Sequence, residues 1–186
     1  MLEEEIKLPV GSLDPVRQRL IAQGAARLHP AALEDNWVLD DADRALARAG
    51  RLLRLRRFGA ATILTLKQPA RFRDGVKSRE ELETSLADPE AALAILAALG
   101  FFPARRYQKR RESWSFDGLK VALDDTPAGA FVEVEGEAAK LHPAARRLGL
   151  DPATAARGTY LDLWEAYRAV HPGAPADMVF GDADAR

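Results

Sequence analysis

Charged residues fall at every second position in several short segments of this chain. The period collects Glu3, Glu5 and Lys7; Arg54 and Arg56; Lys67, with Thr65 before it; Arg79, Glu81 and Glu83; Lys109 and Arg111; Asp124, with Ala122 before it; Glu133 and Glu135. On a β-strand that spacing puts the charges of each segment on one face. Arginine forks and lysine point charges converging from several strands suit a polyanion such as a triphosphate. Carboxylates repel phosphate, so acids beside such cations imply a hard divalent ion between them, with Mg²⁺ or Mn²⁺ sharing carboxylates, waters and phosphate oxygens. Glu3/Glu5 and Glu133/Glu135 each place two carboxylates about 7 Å apart along a strand, near enough to serve one or two ions. One Glu-x-Glu or Arg-x-Arg by itself is most often a solvated sheet face, and the joint pattern carries the argument.

The opposite parity is apolar: Leu53, Leu55, Leu64, Leu66, Leu82, Leu86, Leu119, Val121, Leu123, Val132 and Val134. The apolar face is therefore expected to meet helices, and the ionic face to line the lumen of a closed antiparallel barrel, which leaves no open edge. Six cations (Lys7, Arg54, Arg56, Lys67, Lys109, Arg111) and seven acids (Glu3, Glu5, Glu81, Glu83, Asp124, Glu133, Glu135) would face inward, with Arg79 nearer the rim. Burying them costs several kcal/mol each unless they are paired, hydrated or engaged by ligand.

About eight strands are expected: one at the N-terminus, then Asn36 to Asp40, Arg51 to Phe58, Ala61 to Gln68, Ser78 to Leu86, Arg105 to Phe116, Leu119 to Asp124 and Ala130 to Gly136. Gly59 and Asp117-Gly118 supply hairpin turns. Asp41 to Gly50 reads as a polar connector and Arg71 to Lys77 as a charged turn. Asp14-Pro15, Asp88-Pro89 and Asp151-Pro152 are helix starts, with Gly24 and Gly100 as stops for the first two. Lys140 to Gly149 and Tyr160 to Val170 complete the helices, and Leu161, Trp164 and Tyr167 would pack within the chain or form a homodimer contact. Residues 1–170 are expected to form one domain and 171–186 a partly ordered tail, in which Met178 to Phe180 is the exception.

The 186 residues hold 27 bases and 28 acids, so a nonspecific nucleic-acid binder is disfavoured. Cysteine is absent, which excludes disulfides, thiolate metal sites and cysteine nucleophiles. No apolar run approaches a membrane span, and the acidic N-terminus is unlike a signal peptide, so a soluble cytoplasmic protein is expected. Glycine-rich phosphate loops are missing, and His29, His142 and His171 are expected in surface roles. Trp37, Trp114 and Trp164 are expected to pack rather than to stack on a nucleobase.

Glu3-x-Glu5-x-Lys7, Leu53-Arg54-Leu55-Arg56, Leu64 to Pro69, Arg79 to Glu83, Lys109 to Arg111, Leu123 to Asp125, Phe131 to Glu135 and Thr159 to Leu163 resemble, in order, the motifs of the CYTH superfamily of triphosphate tunnel metalloenzymes. The resemblance runs from Met1 to Trp164 and implies an α+β fold, an eight-stranded antiparallel β-barrel forming a tunnel with helices packed outside. It implies metal binding by Glu3, Glu5, Asp124, Glu133 and Glu135, with Mg²⁺ or Mn²⁺ as cofactor. Triphosphate binding would fall to Lys7, Arg54, Arg56, Lys67, Lys109 and Arg111, among which Lys7, Lys109 and Arg111 are the expected catalytic group. Glu81 and Glu83 match a further acidic pair. The chain departs at Asp35-Asn36-Trp37-Val38-Leu39-Asp40, where many members carry aspartate-x-tyrosine and only Asp40 fits. The leading expectation is a metal-dependent phosphohydrolase of inorganic, thiamine or nucleoside triphosphate. Alternatives are a class IV-type adenylyl cyclase and a nonenzymatic polyphosphate-binding module.

Overall fold

The computed structural model describes residues 2–181; Met1 and the last five residues of the expected tail lie outside the described residues. Among the described residues there are nine strands: β1 Leu2–Val10, β2 Ala26–Asp40, β3 Leu52–Phe58, β4 Ala61–Lys67, β5 Arg71–Arg73, β6 Val76–Ser85, β7 Phe102–Phe116, β8 Leu119–Thr126 and β9 Gly129–Glu135. They run β1-β9-β8-β7-β2-β3-β4-β6, and β1 pairs again with β6, closing an eight-stranded antiparallel barrel with β5 outside it. β6 does both jobs at the closure. Its Lys77–Glu80 segment pairs with β1 while Glu81–Ser85 pairs with β4. A barrel of eight strands encloses a bore just wide enough for packed side chains or one small ligand.

Two differences from the sequence expectation have physical reasons. β2 begins at Ala26 rather than Asn36, because its first half, although exposed and without alternation, pairs with β7 across irregular register at Arg27, His29 and Ala32. Residues 71–77 are a tight hairpin rather than a turn. Asp74 and Gly75 both take positive φ (51° and 76°), the backbone that a two-residue hairpin loop requires, so β5 and β6 pair back to Val76. Asp117-Gly118 makes the expected turn in the same way, with φ of 51° and 77°.

The expected connector 41–50 holds a short helix, α2 (Ala45–Arg48). The other helices are α1 (Asp14–Ala22), α3 (Pro89–Ala98), α4 (Ala138–Arg147) and α5 (Tyr160–Val170), with a 3₁₀ turn at Pro152–Thr154. Asp88 caps α3 by accepting from the Ala91 amide, and Thr159 and Asp162 form a reciprocal capping box on α5. The helices lie outside the wall and bury its apolar parity in three clusters. Ile6, Leu8, Trp114, Phe116, Val121, Leu123, Val132 and Val134 pack against α1 and α4. Leu39, Leu53 and Leu55 meet Leu93 and Leu96 of α3. Tyr107, Phe131, Tyr160 and Trp164 gather with Met178 of the C-terminal segment. Leu82 departs from its expected packing against the helices, being 55% exposed. Trp164 is buried within its own chain, and Met178 bridges to Tyr107 on β7 through backbone hydrogen bonds with Arg106 and Gln108. Among the described residues no helix is long and apolar enough to cross a membrane.

Candidate functional site

The bore is a cavity of about 480 Å³, within the range of small-molecule sites. Its wall includes the six expected cations, Lys7, Arg54, Arg56, Lys67, Lys109 and Arg111, and the acids Glu3, Glu5, Glu81, Glu83, Glu133 and Glu135. Alternation delivers them: each belongs to the ionic parity of its strand, and the strands curve so that these faces meet. Register sets the close approaches. Glu5 lies opposite Glu135 and Lys7 opposite Glu133 across β1 and β9, while Glu3 lies opposite Arg79 and Glu5 opposite Lys77 across β1 and β6.

The charges sort into an inner and an outer group. Deep in the barrel, Arg111 donates bidentately to Asp124 and also to Glu133, and Lys109 Nζ lies 3.1 Å from Asp124 Oδ2. Lys7 stands 3.4 Å from Glu133 and over the Tyr160 ring. Tyr160 Oη donates to Asp124 at 2.6 Å. Asp124 is thus fully enclosed by Lys109, Arg111 and Tyr160 and does not line the cavity; it orients the cations from behind. Toward the other side Lys67 pairs with Glu81 and, at 3.5 Å, with Glu3, and Lys77 pairs with Glu5.

Several participants escape the sequence pattern. Glu34 on β2 is 1% exposed and lies 3.5–3.9 Å from Lys109, Arg56 and Arg111. Burial pushes its carboxyl up, but Lys109, Arg111, Arg56 and Arg54 outweigh burial and hold it well below the usual carboxylate range. Tyr107 accepts from Arg54 through its hydroxyl at 3.3 Å; burial raises the phenol, and Arg54 and Lys109 more than reverse this. Tyr160 is the opposite case, raised well above its ordinary value by burial and then by Asp124 and Glu133, which keeps it a neutral donor. Arg79, expected nearer the rim, is buried, at 7% exposure, and lines the cavity. Lys77 joins it because the β5–β6 hairpin extends the strand. Asp74-Gly75 was the available signal for both. Asp40, the one position fitting the family's β2 pattern, turns away to accept from the Leu46 and Ala47 amides of α2.

Among the described residues, two buried cations of this wall have no carboxylate in salt-bridge reach. Arg54 contacts only the Tyr107 hydroxyl and, at 3.5 Å, Thr65 Oγ1. Arg79 makes no side-chain hydrogen bond, and the Nε of each is buried without a partner. A buried guanidinium N–H without an acceptor is costly, which marks this part of the wall as able to receive an anion. The acids suit a hard cation in their chemistry: Glu5 and Glu135 oppose each other, with Glu3 next on the same face. Among the described residues no three acids converge into a cage of their own. That arrangement fits an ion of the Mg²⁺ kind, which takes one or two carboxylates and completes its shell with water and phosphate oxygens.

Residues 1–160 match the CYTH domain family. A candidate adenylate cyclase of Methanocaldococcus jannaschii is 28% identical over 136 residues, covering 73% of this chain and 77% of the relative. Among solved structures, a candidate adenylate cyclase of Vibrio parahaemolyticus superposes with a TM-score of 0.79 at 18% identity, covering 89% of this chain and 98% of that one. A Hippeastrum protein described as a candidate adenylyl cyclase with a dominant triphosphatase activity superposes at 0.67 with 19% identity, covering 89% and 96% of the two chains.

Proposed function

The chain belongs to the CYTH domain family, and from that premise we propose that it is a divalent-metal-dependent triphosphatase whose substrate lies along the barrel bore. The observation that carries this reading is the pair of buried arginines without a carboxylate in salt-bridge reach, Arg54 and Arg79, in a wall that also presents Lys7, Arg56, Lys67, Lys109 and Arg111. Entry of a triphosphate replaces weak or absent internal partners with charge-assisted hydrogen bonds to phosphoryl oxygens. Arg54 and Arg56 act as forks along the chain, and Lys67 serves as a point charge. Lys7, Lys109 and Arg111 form the catalytic group, stabilising charge that develops on the transferred phosphoryl group. Asp124 and Tyr160 hold Lys109 and Arg111 in place from behind. Glu3, Glu5, Glu133 and Glu135 would hold Mg²⁺ or Mn²⁺, with Glu81 and Glu83 beside them; the bound ion would supply Lewis-acid polarisation and an acidified water. Glu133 also fixes Lys7 and Arg111, so its removal affects both roles.

The Hippeastrum protein's described activity supports hydrolysis as the first reading, and the M. jannaschii relative's name favours cyclisation of ATP as the second. The test is a phosphate-release panel over inorganic, thiamine and nucleoside triphosphates with Mg²⁺ or Mn²⁺, run beside a cyclic AMP assay. Orthophosphate release should fall by at least about a hundredfold in Glu5→Gln and in Arg54→Ala, the scale of losing one group that stabilises transferring charge. Wild-type turnover in either variant would overturn the assignment, and cyclic AMP as the sole product from ATP would reverse the order of the two readings.

A further inference from the structure

A second cavity of about 320 Å³ adjoins the bore and shares Leu52, Arg79, Thr159 and Leu161 with it. We propose that this cavity is an oxyanion subsite that receives one further phosphoryl group, handed across Arg79 from the bore. It deepens the triphosphatase reading and rests on it for where the first three phosphoryl groups lie.

The charges lining the cavity are unevenly committed. Each of its acids is already in use. Asp40 accepts from the Asp41, Leu46 and Ala47 amides. Asp162 accepts from the Thr159 amide and hydroxyl in the α5 cap, and Glu165 is paired with Arg105 and Arg168. Arg105 is likewise engaged, by Glu165 and the Ala176 carbonyl. The remaining cations, Arg44, Arg51 and Arg79, have no side-chain partner among the described residues. Arg79 is the informative one. It is 93% buried by its 7% exposure, its Nε is unsatisfied, and it faces both cavities at once. A guanidinium presents five donors in a plane, enough to hold oxygens on two sides. Beyond it Arg44 and Arg51 are exposed and can fold onto an anion without disturbing the wall.

The phosphoryl group could be free orthophosphate leaving the bore or the far end of a linear chain longer than three, and calorimetry separates the two. Wild-type protein, Arg51→Glu and the double variant Arg44→Gln/Arg51→Gln are each saturated with imidotriphosphate and titrated with orthophosphate. In parallel, inorganic triphosphate and linear tetraphosphate are compared as ligands in the presence of chelator. The subsite as a place for free phosphate predicts orthophosphate binding to the saturated wild type, weakened about tenfold or more in both variants, with imidotriphosphate affinity unchanged within about twofold. The subsite as a place for a chain end predicts that tetraphosphate binds about tenfold more tightly than triphosphate, an advantage that both variants erase. Orthophosphate and tetraphosphate affinities indifferent to both variants would overturn the proposal. Failure of imidotriphosphate to bind at all would overturn the tunnel reading instead, while orthophosphate titration of the unliganded variants would still decide the subsite.

Discussion

Glu34→Gln removes one buried charge and almost no volume, which makes it a sharp probe of the inner network. The carboxylate sits 3.5 Å from Lys109, 3.8 Å from Arg56 and 3.9 Å from Arg111. At an effective dielectric near 20 each such contact is worth about 4 kcal/mol before desolvation, and most of that sum is consumed by taking the ions out of water. Breaking a buried network from one side leaves the remaining charges uncompensated, at a net cost of about 3–5 kcal/mol. For a domain of this size that corresponds to a fall in melting temperature of roughly 10 °C. The same change releases three cations toward the bore, so triphosphate should bind about tenfold more tightly and restore part of the lost stability. The pH dependence has a definite sign. Because Glu34 is held below its ordinary value of 4.5, its contribution is present in full above that value and is lost only as pH falls through the depressed one. The gap between wild type and variant should therefore be constant at neutral pH and close only in strong acid. Chemical and thermal unfolding with and without inorganic triphosphate check each point. A variant within about 1 kcal/mol of wild type at pH 7, with unchanged triphosphate affinity, would refute the reasoning.

Tyr160→Phe should cost about 1.5–3 kcal/mol by deleting the hydrogen bond to Asp124, while triphosphate KM changes little because the ring under Lys7 is retained; unfolding and steady-state kinetics read the two effects separately. Met178→Ala should destabilise the protein by about 2–5 kcal/mol, since this fully buried side chain sits between β7 and α5, and a melting temperature equal to wild type would contradict that placement. Asp88→Ala removes the side-chain acceptor from the first turn of α3 and should cost about 0.5–2 kcal/mol in urea unfolding, with no effect on turnover.

Most of the wall could be read before the fold was known because strands enforce strict alternation: Arg54 with Arg56, Lys109 with Arg111 and Glu133 with Glu135 needed only the period of two to be placed on a shared face. Proline and aspartate pairs likewise announced α1 and α3. The period fails where a strand carries a mixed face. Glu34 lies in Leu33-Glu34-Asp35-Asn36, where acids occupy both parities and nothing local says which one turns inward; only the register against β7 and β3 decides it. Asp124 shows the reverse limit. Its parity was evident, but its use as a support for Lys109, Arg111 and Tyr160 depends on partners from β7 and α5 that sequence spacing does not bring together. Lys77 falls in the segment that reads as a charged turn, and the Asp74-Gly75 hairpin, by starting β6 at Val76, brings it into the wall beside Arg79.

The closing strand pairs in this barrel join distant parts of the sequence. β1 is synthesised first, yet Glu5 finds its partner Glu135 only after 130 further residues, and its other neighbour begins at Lys77. Ile6 and Leu8 lie opposite Val134 and Val132 of β9, and three consecutive glutamates stand just before them at residues 3–5. Such long-range pairing makes for slow acquisition of structure. The segment that carries the first two carboxylates of the bore is held on one side by the longest-range pairing in the cylinder, and the ionic lining is complete only with that seam shut.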